Sequence, residues 1–95
     1  MLTKRKTIRK YIRFYGQVQA VGFRWTAMQA AKLYGVTGWV RNEYDGTVTT
    51  ELQGAEEAMD ELWEMVRRGS FVRIDGYDVT EMDVDRTECS FRVKR

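Results

Sequence analysis

The order of hydrophobic periodicities along the chain constrains the fold more than any other feature. Apolar and polar residues alternate in five short runs, at residues 7–16, 36–42, 47–53, 74–82 and 90–94. Apolar residues recur every three or four positions in two longer runs, at residues 23–34 and 55–68. Alternation is typical of strands, and the longer spacing is typical of amphipathic helices. The chain therefore predicts the order β-α-β-β-α-β, with a short extra strand at the C-terminal end.

This order of elements indicates an α+β fold with two helices on one face of an antiparallel sheet, the ferredoxin-like sandwich. The pair Asp45-Gly46, between the second and third strands, is a strong hairpin signal. A length of 95 residues with 43% hydrophobic residues suits one domain, residues 1–95. We expect residues 1–6 to be a flexible basic tail.

The same patterns predict the core. The side chains predicted to be buried are Ile8, Ile12, Phe14, Phe23, Ala27, Ala30, Ala31, Tyr34, Val48, Thr50, Leu52, Ala55, Ala58, Leu62 and Val66. The other face of the first strand is predicted to be more hydrated, and it carries Arg9, Tyr11, Arg13 and Tyr15. The acidic segment 81–88 is predicted to be a solvated turn.

Composition excludes several classes of function. The chain has no histidine and one cysteine, Cys89, so we expect no internal disulfide, no metal site and no cofactor. Its apolar runs are far too short to span a bilayer, and its first residues lead into no signal-peptide core. We therefore expect a cytoplasmic protein with no membrane partner. The formal charge of +2 neither requires nor excludes nucleic acid.

The segment between the first strand and the first helix is unusual. Residues 16–24 contain no Ser, Thr, Asp or Asn, so the helix begins without a usual side-chain cap. Arg24 lies in the first turn, where the helix dipole disfavours a cation by about 0.3–1 kcal/mol. Free amides, the dipole and a guanidinium together fit a bound phosphate. From composition alone, an Arg24 that extends into solvent is equally consistent.

Hydrolysis at such a site would also need a positioned water molecule, and Asn42 is the candidate. It ends the second strand, which a ferredoxin-like fold can bring near the first loop. A neutral amide can accept a hydrogen bond from water and donate one to an anionic oxygen. An asparagine before a Tyr-Asp-Gly sequence is also typical of a simple turn.

Two segments carry a family resemblance. They are Gly16-Gln17-Val18-Gln19-Ala20-Val21-Gly22-Phe23-Arg24, and Gly38-Trp39-Val40-Arg41-Asn42 followed by Gly46-Thr47-Val48. They resemble the two signatures of the acylphosphatases, Gly-x-Val-Gln-Gly-Val-x-Phe-Arg, and Gly-Trp-Val-x-Asn followed by Gly-x-Val. The spacing between the two segments also agrees, and the similarity extends over essentially the whole chain.

The resemblance implies a metal-independent hydrolase without a covalent intermediate that converts a small acyl phosphate to a carboxylate and inorganic phosphate. It implies that Arg24 binds the substrate phosphate and that Asn42 orients the attacking water. The loop amides are then expected to hold the phosphoryl oxygens, and they belong to Gln19, Ala20, Val21, Gly22 and Phe23. Inorganic phosphate or sulfate is expected to bind there too. We expect a monomer and no nucleic-acid partner.

The chain departs from the family pattern at two places. Ala20 stands where the family usually has glycine, and its Cβ resists a positive φ, so turnover would fall if that position required one. After the second helix the chain reads Gly69-Ser70-Phe71, whereas the family often has Gly-Ser-Pro. We expect the second departure to change local shape or stability, not chemistry.

Two alternatives remain open from the sequence. The first is a catalytically weak phosphate- or anion-binding domain, which Ala20 favours. The second is a single-stranded nucleic-acid-binding module that uses the outer sheet face, although the third strand lacks stacking aromatics. Its surface would comprise Arg9, Tyr11, Arg13, Tyr15 and Trp39. Three further apolar residues are interpreted as packing or partly exposed groups, namely Trp25, Met28 and Trp63.

Overall fold

The computed structural model describes residues 6–20 and 22–94 of the chain. Within these ranges, its elements are β1 Ile8–Gln17, α1 Phe23–Tyr34, β2 Thr37–Asn42, β3 Val48–Gly54, α2 Glu56–Gly69, β4 Arg73–Met82 and β5 Phe91–Lys94. The predicted order is confirmed, and the boundaries differ from the predicted ones by at most one residue. Neither described helix has the length and hydropathy needed to cross a membrane. The predicted basic tail lies outside the described residues, except for Lys6.

The five strands form one sheet in the order β4-β1-β3-β2-β5. β3 is antiparallel to both β1 and β2, and β4 is antiparallel to β1. β5 runs parallel to β2, so the whole sheet is mixed and the predicted antiparallel arrangement holds for its four longer strands. β4 and β5 lie at opposite edges of the sheet, so the segment 83–90 crosses the sheet between them. β5 then begins at the end of the sheet where β4 finishes, which makes it run parallel to its neighbour β2.

The core lies between the two helices and one face of the sheet. α1 contributes Phe23 and three small side chains, Ala27, Ala30 and Ala31, which allow close approach to the sheet. α2 contributes Met59, Leu62 and Val66. The predicted burial is wrong at four positions, which are only partly buried, namely Ile8, Tyr34, Ala55 and Ala58. Ala55 precedes α2, and the buried stripe of the helix passes through Met59 instead.

Arg9 lies on the outer face of the sheet, and the prediction that this position is hydrated is wrong. Only 5% of Arg9 is exposed. Its guanidinium donates to Glu88 Oε1 at 2.8 Å, to Glu88 Oε2 at 3.1 Å and to Glu51 Oε1 at 2.9 Å. It also donates to the Gln53 side-chain oxygen at 3.1 Å. The hydrogen bond to Glu88 outweighs the opposing effect of burial and raises the pKa of Arg9.

The crossing segment 83–90 is bonded to this outer face. The side-chain amide of Gln53 donates to the Asp85 carbonyl at 2.8 Å, and its oxygen accepts from the Asp85 N–H at 2.7 Å. The Asp85 carboxylate accepts from the Thr87 N–H and hydroxyl, which lowers its pKa. The prediction that this segment is solvated is therefore wrong for Glu88, whose carboxylate binds Arg9. It describes Asp85 only in part, because the backbone of Asp85 is bonded to Gln53.

We predict that Glu88→Ala lowers the free energy of unfolding by about 1.5–3 kcal/mol, because it removes two charge-assisted hydrogen bonds from a buried guanidinium. Urea denaturation measures the change. Glu64→Ala is the matched control, since Glu64 pairs with Arg67 and Arg68 on an exposed helix face. That variant should lose no more than about 1 kcal/mol. Equal losses in the two variants would contradict the importance of the Arg9–Glu88 pair.

Candidate functional site

A cleft of about 720 Å³ opens at the edge of the sheet where β1 and β2 end. Its lining comprises Gln19, Ala20, Gly22, Arg24, Trp25, Met28, Asn42 and Val93. The lining thus contains five of the seven predicted site residues, Gln19, Ala20, Gly22, Arg24 and Asn42. A sixth, Phe23, is buried in the core and is not part of the lining. The remaining predicted position, Val21, lies outside the described residues.

The register of the sheet explains why distant residues meet here. β1 and β2 are both antiparallel to β3, so their C-terminal ends lie at the same edge. Val48 at the start of β3 is opposite Phe14 on one side and Asn42 on the other. Since neighbouring strands lie about 4.8 Å apart, Asn42 is two strand spacings, or about 10 Å, from β1. The loop that follows β1 returns directly into α1, so the start of this helix faces the same edge.

The N-terminus of α1 has no side-chain cap. Gly22 is the N-cap residue, with φ of 91° and ψ of −11°, a left-handed conformation that glycine adopts without steric cost. Its carbonyl accepts from the Thr26 N–H at 2.8 Å, while the first turn contains no acidic residue. Arg24 lies in this turn and lines the cleft. The positive end of the helix and a guanidinium therefore meet in one place.

Phe23 has a different environment from the other predicted loop residues. Its N–H donates to the Ala20 carbonyl at 3.2 Å, so this amide already has an acceptor within the loop. Its side chain is buried and makes ring contacts with Phe14 and Trp63. Phe23 therefore anchors the loop to the core, and its predicted contact with a ligand through its amide is not supported by this geometry.

Ala20 is accommodated without a strained backbone. In residues 6–20 and 22–94, every residue with a positive φ is a glycine. Ala20 therefore does not adopt a left-handed conformation. A positive φ was the condition under which alanine would disturb the loop. Ala20 itself is part of the cleft lining.

The side chain of Gln19 joins the loop to the β2–β3 hairpin. Its Nε2 donates to the Glu43 carbonyl at 2.6 Å and to the Thr47 carbonyl at 2.9 Å. Both hydrogen atoms of this amide group are thus used within the protein. Gln19 therefore fixes the distance between the loop and the strand end that carries Asn42, which the sequence did not indicate.

Hydrogen bonds within the hairpin hold these two carbonyls in place. The Asp45 carboxylate accepts from the Thr47 hydroxyl at 2.6 Å and from its N–H at 3.0 Å, and these bonds lower the pKa of Asp45. The Glu43 carboxylate accepts from the Thr49 hydroxyl and from Arg41 Nε at 2.9 Å. The Thr49 bond, followed by the Arg41 bond, lowers the pKa of Glu43. Both carboxylates are therefore ionised at neutral pH.

Arg24 and Asn42 are the two polar side chains of the cleft that face no protein partner. Within the described part of the chain, neither the guanidinium of Arg24 nor the amide of Asn42 forms a hydrogen bond or ion pair. By contrast, Arg9, Arg13 and Arg41 are each paired with an acid. The cleft therefore presents an uncompensated cation beside an amide that can both donate and accept.

The outer sheet face proposed for nucleic acid has little free cationic charge along β1. Arg9 is covered by the crossing segment, as described above. Arg13 pairs with Asp45 at 3.4 Å, and the Tyr15 hydroxyl donates to the Asp78 carboxylate at 2.6 Å. The two arginines that β1 contributes to this face are thus already paired with acids of the same chain, which weakens the nucleic-acid interpretation.

Three apolar residues that line the cleft were not predicted from the sequence to belong to the site. Trp25 and Met28 were interpreted as packing or partly exposed groups, yet both line the cleft. Their signal was their position, one and four residues after Arg24 on the same helix. Val93 had no local signal, because its place depends on the parallel pairing of β5 with β2, where it lies opposite Val40.

Comparison with known proteins gives consistent matches. The family model described as Acylphosphatase matches residues 10–93. An acylphosphatase of Oceanobacillus iheyensis is 42% identical over 81 residues, which cover 83% of this chain and 89% of that protein. An acylphosphatase of Rhizobium etli is 40% identical over 84 residues, which cover 86% and 88%. The crystal structure of acylphosphatase from Bacillus subtilis superposes with a TM-score of 0.80 at 31% identity, covering 93% of this chain and 99% of that chain.

We predict that Gln19→Ala lowers the free energy of unfolding by about 1 kcal/mol, because it removes the two hydrogen bonds that join the loop to the hairpin. Chemical denaturation measures the loss. Gln17→Ala is the control, since Gln17 is an exposed residue of the same type two positions earlier. The control should change stability by less than about 0.5 kcal/mol. A Gln19 variant as stable as the control would show that the loop is not held by this contact.

Proposed function

The chain belongs to the acylphosphatase family and is an acylphosphatase, and we propose that its reaction takes place in the cleft at the start of α1. An acylphosphatase hydrolyses the carboxyl-phosphate bond of an acyl phosphate. One observation carries the assignment to this cleft: Arg24 and Asn42 both line it beside an uncapped helix N-terminus, and neither has a partner among the described residues.

In the proposed complex, the loop and Arg24 bind the phosphoryl group. Backbone amides at a helix N-terminus favour anionic oxygens, and Arg24 adds a charge that stays paired with the oxygens as the transition state forms. The proposed amides are those of Gln19, Ala20 and Gly22, while that of Val21 stays a sequence-based prediction. We omit Phe23, because its N–H donates to the Ala20 carbonyl.

Asn42 is proposed to orient the attacking water. Its side-chain oxygen accepts a hydrogen bond from the water, and its NH₂ group donates to a phosphoryl oxygen, which places the water in line with the leaving group. The water oxygen forms a bond to phosphorus as the bond to the acyl oxygen breaks. The carboxylate leaves with the electron pair, and a phosphoryl oxygen of the substrate takes the water proton. A carboxylate leaving group needs no general acid, so the scheme uses protein donors and water alone.

Three further features belong to this proposal. Inorganic phosphate, a product, binds the same loop, and sulfate does so because it presents the same tetrahedral oxygens. We also propose that the protein acts as a monomer. It acts in the cytoplasm, where an exposed free thiol such as Cys89 stays reduced.

We predict that Arg24→Ala and Asn42→Ala each lower kcat/KM for acetyl phosphate by about 10²–10³-fold, the usual effect of one removed donor at a developing charge. Isothermal titration with inorganic phosphate separates the two roles. Arg24→Ala should lose phosphate affinity, whereas Asn42→Ala should keep it and lose turnover. Lys32→Ala, an exposed cation on the same helix, is the control. A variant at either site that keeps about half of the wild-type rate or more would contradict its role.

A catalytically weak phosphate-binding domain is the second candidate, because Ala20 replaces the family glycine. The non-strained backbone at Ala20 predicts that Ala20→Gly changes kcat/KM by less than about threefold and costs about 0.5–1 kcal/mol of stability through the freedom of glycine in the unfolded chain. Stopped-flow hydrolysis and urea denaturation measure the two effects. A rise in turnover of about tenfold or more would instead favour the weak-domain interpretation, with the deficit in the loop.

A further inference from the structure

We propose that Trp25, Met28 and Val93 form an apolar subsite for the acyl group of the substrate. This subsite makes the enzyme favour acyl phosphates with an aromatic or extended apolar acyl group over acetyl phosphate. The inference rests on the proposed function of the same cleft and names its substrate class. Its starting point is that these three residues share one lining with Arg24 and Asn42.

The helix places two of the three side chains beside the phosphate loop. Trp25 follows Arg24 directly in the first turn of α1. Met28 lies three residues after Trp25 and four after Arg24, and both spacings put side chains next to each other on a helix surface. Helical side chains also lean toward the N-terminus. Met28 therefore leans back toward the first turn and contributes to the wall that Trp25 begins.

The third side chain comes from the edge of the sheet. Val93 in β5 is opposite Val40 in β2, so the two lie on the same face, which is the face that the helices cover. Asn42 lies two residues beyond Val40 on β2. Val93 thus borders the cleft from the sheet, while Trp25 and Met28 border it from the helix.

The connectivity of the substrate requires its acyl group to lie close to the phosphate. The substituent on the acyl carbon is three bonds from phosphorus, through the bridging oxygen and the carbonyl carbon. A phosphoryl group held by the loop and Arg24 therefore keeps this substituent within three bonds of the phosphate, close to the lining of the same cleft. Trp25 is the adjacent residue in sequence and the largest side chain in the lining.

Exposure and charge both favour an apolar occupant. Trp25 is 63% exposed, so much of its indole surface is available to a ligand. A single exposed hydrophobic residue is ordinary, and Leu33 at the other end of α1 is 66% exposed. Trp25 differs because its exposed surface lies in the lining that holds Arg24. Arg24 is also the one charged residue of this described lining, so a second carboxylate on the acyl group would find no second cation.

The test compares kcat/KM for benzoyl phosphate and acetyl phosphate in the wild type and in variants at Trp25. Trp25→Ala should lower the value for benzoyl phosphate by about tenfold, the scale of one lost aromatic contact, and change that for acetyl phosphate by less than about twofold. Trp25→Phe should keep most of the preference. The ratio of kcat/KM for benzoyl phosphate to that for acetyl phosphate is compared between variants, so that the different intrinsic reactivity of the two substrates cancels.

Leu33→Ala is the matched control, because Leu33 is equally exposed on the same helix but eight residues away, about 12 Å along its axis. It should leave both values unchanged. A Trp25→Ala variant that loses activity on both substrates equally would overturn the subsite and give Trp25 a structural role. An unchanged ratio of the two values would overturn it as well.

A binding measurement separates this inference from the proposed function. Phenacylphosphonate and acetonylphosphonate carry CH₂ in place of the bridging oxygen, so neither can be hydrolysed at that bond. Titration should show tighter binding of the phenacyl compound, and Trp25→Ala should remove that difference. This result would support the subsite even if neither acyl phosphate were hydrolysed. Equal affinity of the wild type for both compounds would overturn the subsite, whatever the hydrolysis assays show.

Discussion

The position of β3 between β1 and β2 is the constraint on which the site depends. Antiparallel pairing on both sides makes β1 and β2 point the same way, so the loop after β1 and the last residue of β2 share one edge. Buried Val48, Thr50 and Leu52 hold β3 against the helices. No local property of the loop or of Asn42 could create this proximity. The cleft is therefore a consequence of strand order, and its chemistry is added by the residues that the order brings together.

The two helices of this chain differ in the residues at their N-termini. α2 has Glu56 and Glu57 in its first turn and two arginines in its last, which suits the dipole. α1 has no acid in its first turn, a glycine N-cap without a side-chain cap, and Arg24. This arrangement costs stability in the absence of an anion, by about 0.3–1 kcal/mol for a misplaced charge. The cost is offset when an anion binds, and such local departures concentrate at functional sites.

Contacts on the outer face of the sheet also help to position one wall of the cleft. The bonds of Arg9 with Glu88, and of Gln53 with Asp85, fasten the crossing segment to the sheet. This segment leads into β5, where the Gly38 N–H donates to the Ser90 carbonyl at 3.1 Å as the parallel pairing begins. β5 in turn supplies the Val93 wall of the cleft. A buried ion pair on one face of the sheet thus fixes the strand that borders the site on the other.

The sequence by itself determined the order of the elements, their boundaries and the position of Arg24 and Asn42 at two element ends, because periodicity and turn chemistry are local. It misjudged what depends on distant contacts. Arg9 is buried by Glu88, 79 positions away, and Val93 meets the cleft through a parallel pairing that alternation cannot show. Only the tertiary structure decided that the side chain of Gln19 serves the hairpin, that the amide of Phe23 has an internal acceptor and that Trp25 borders the cleft. Each of these outcomes depends on which surfaces meet when the sheet closes on its helices, and a one-dimensional pattern does not contain that information.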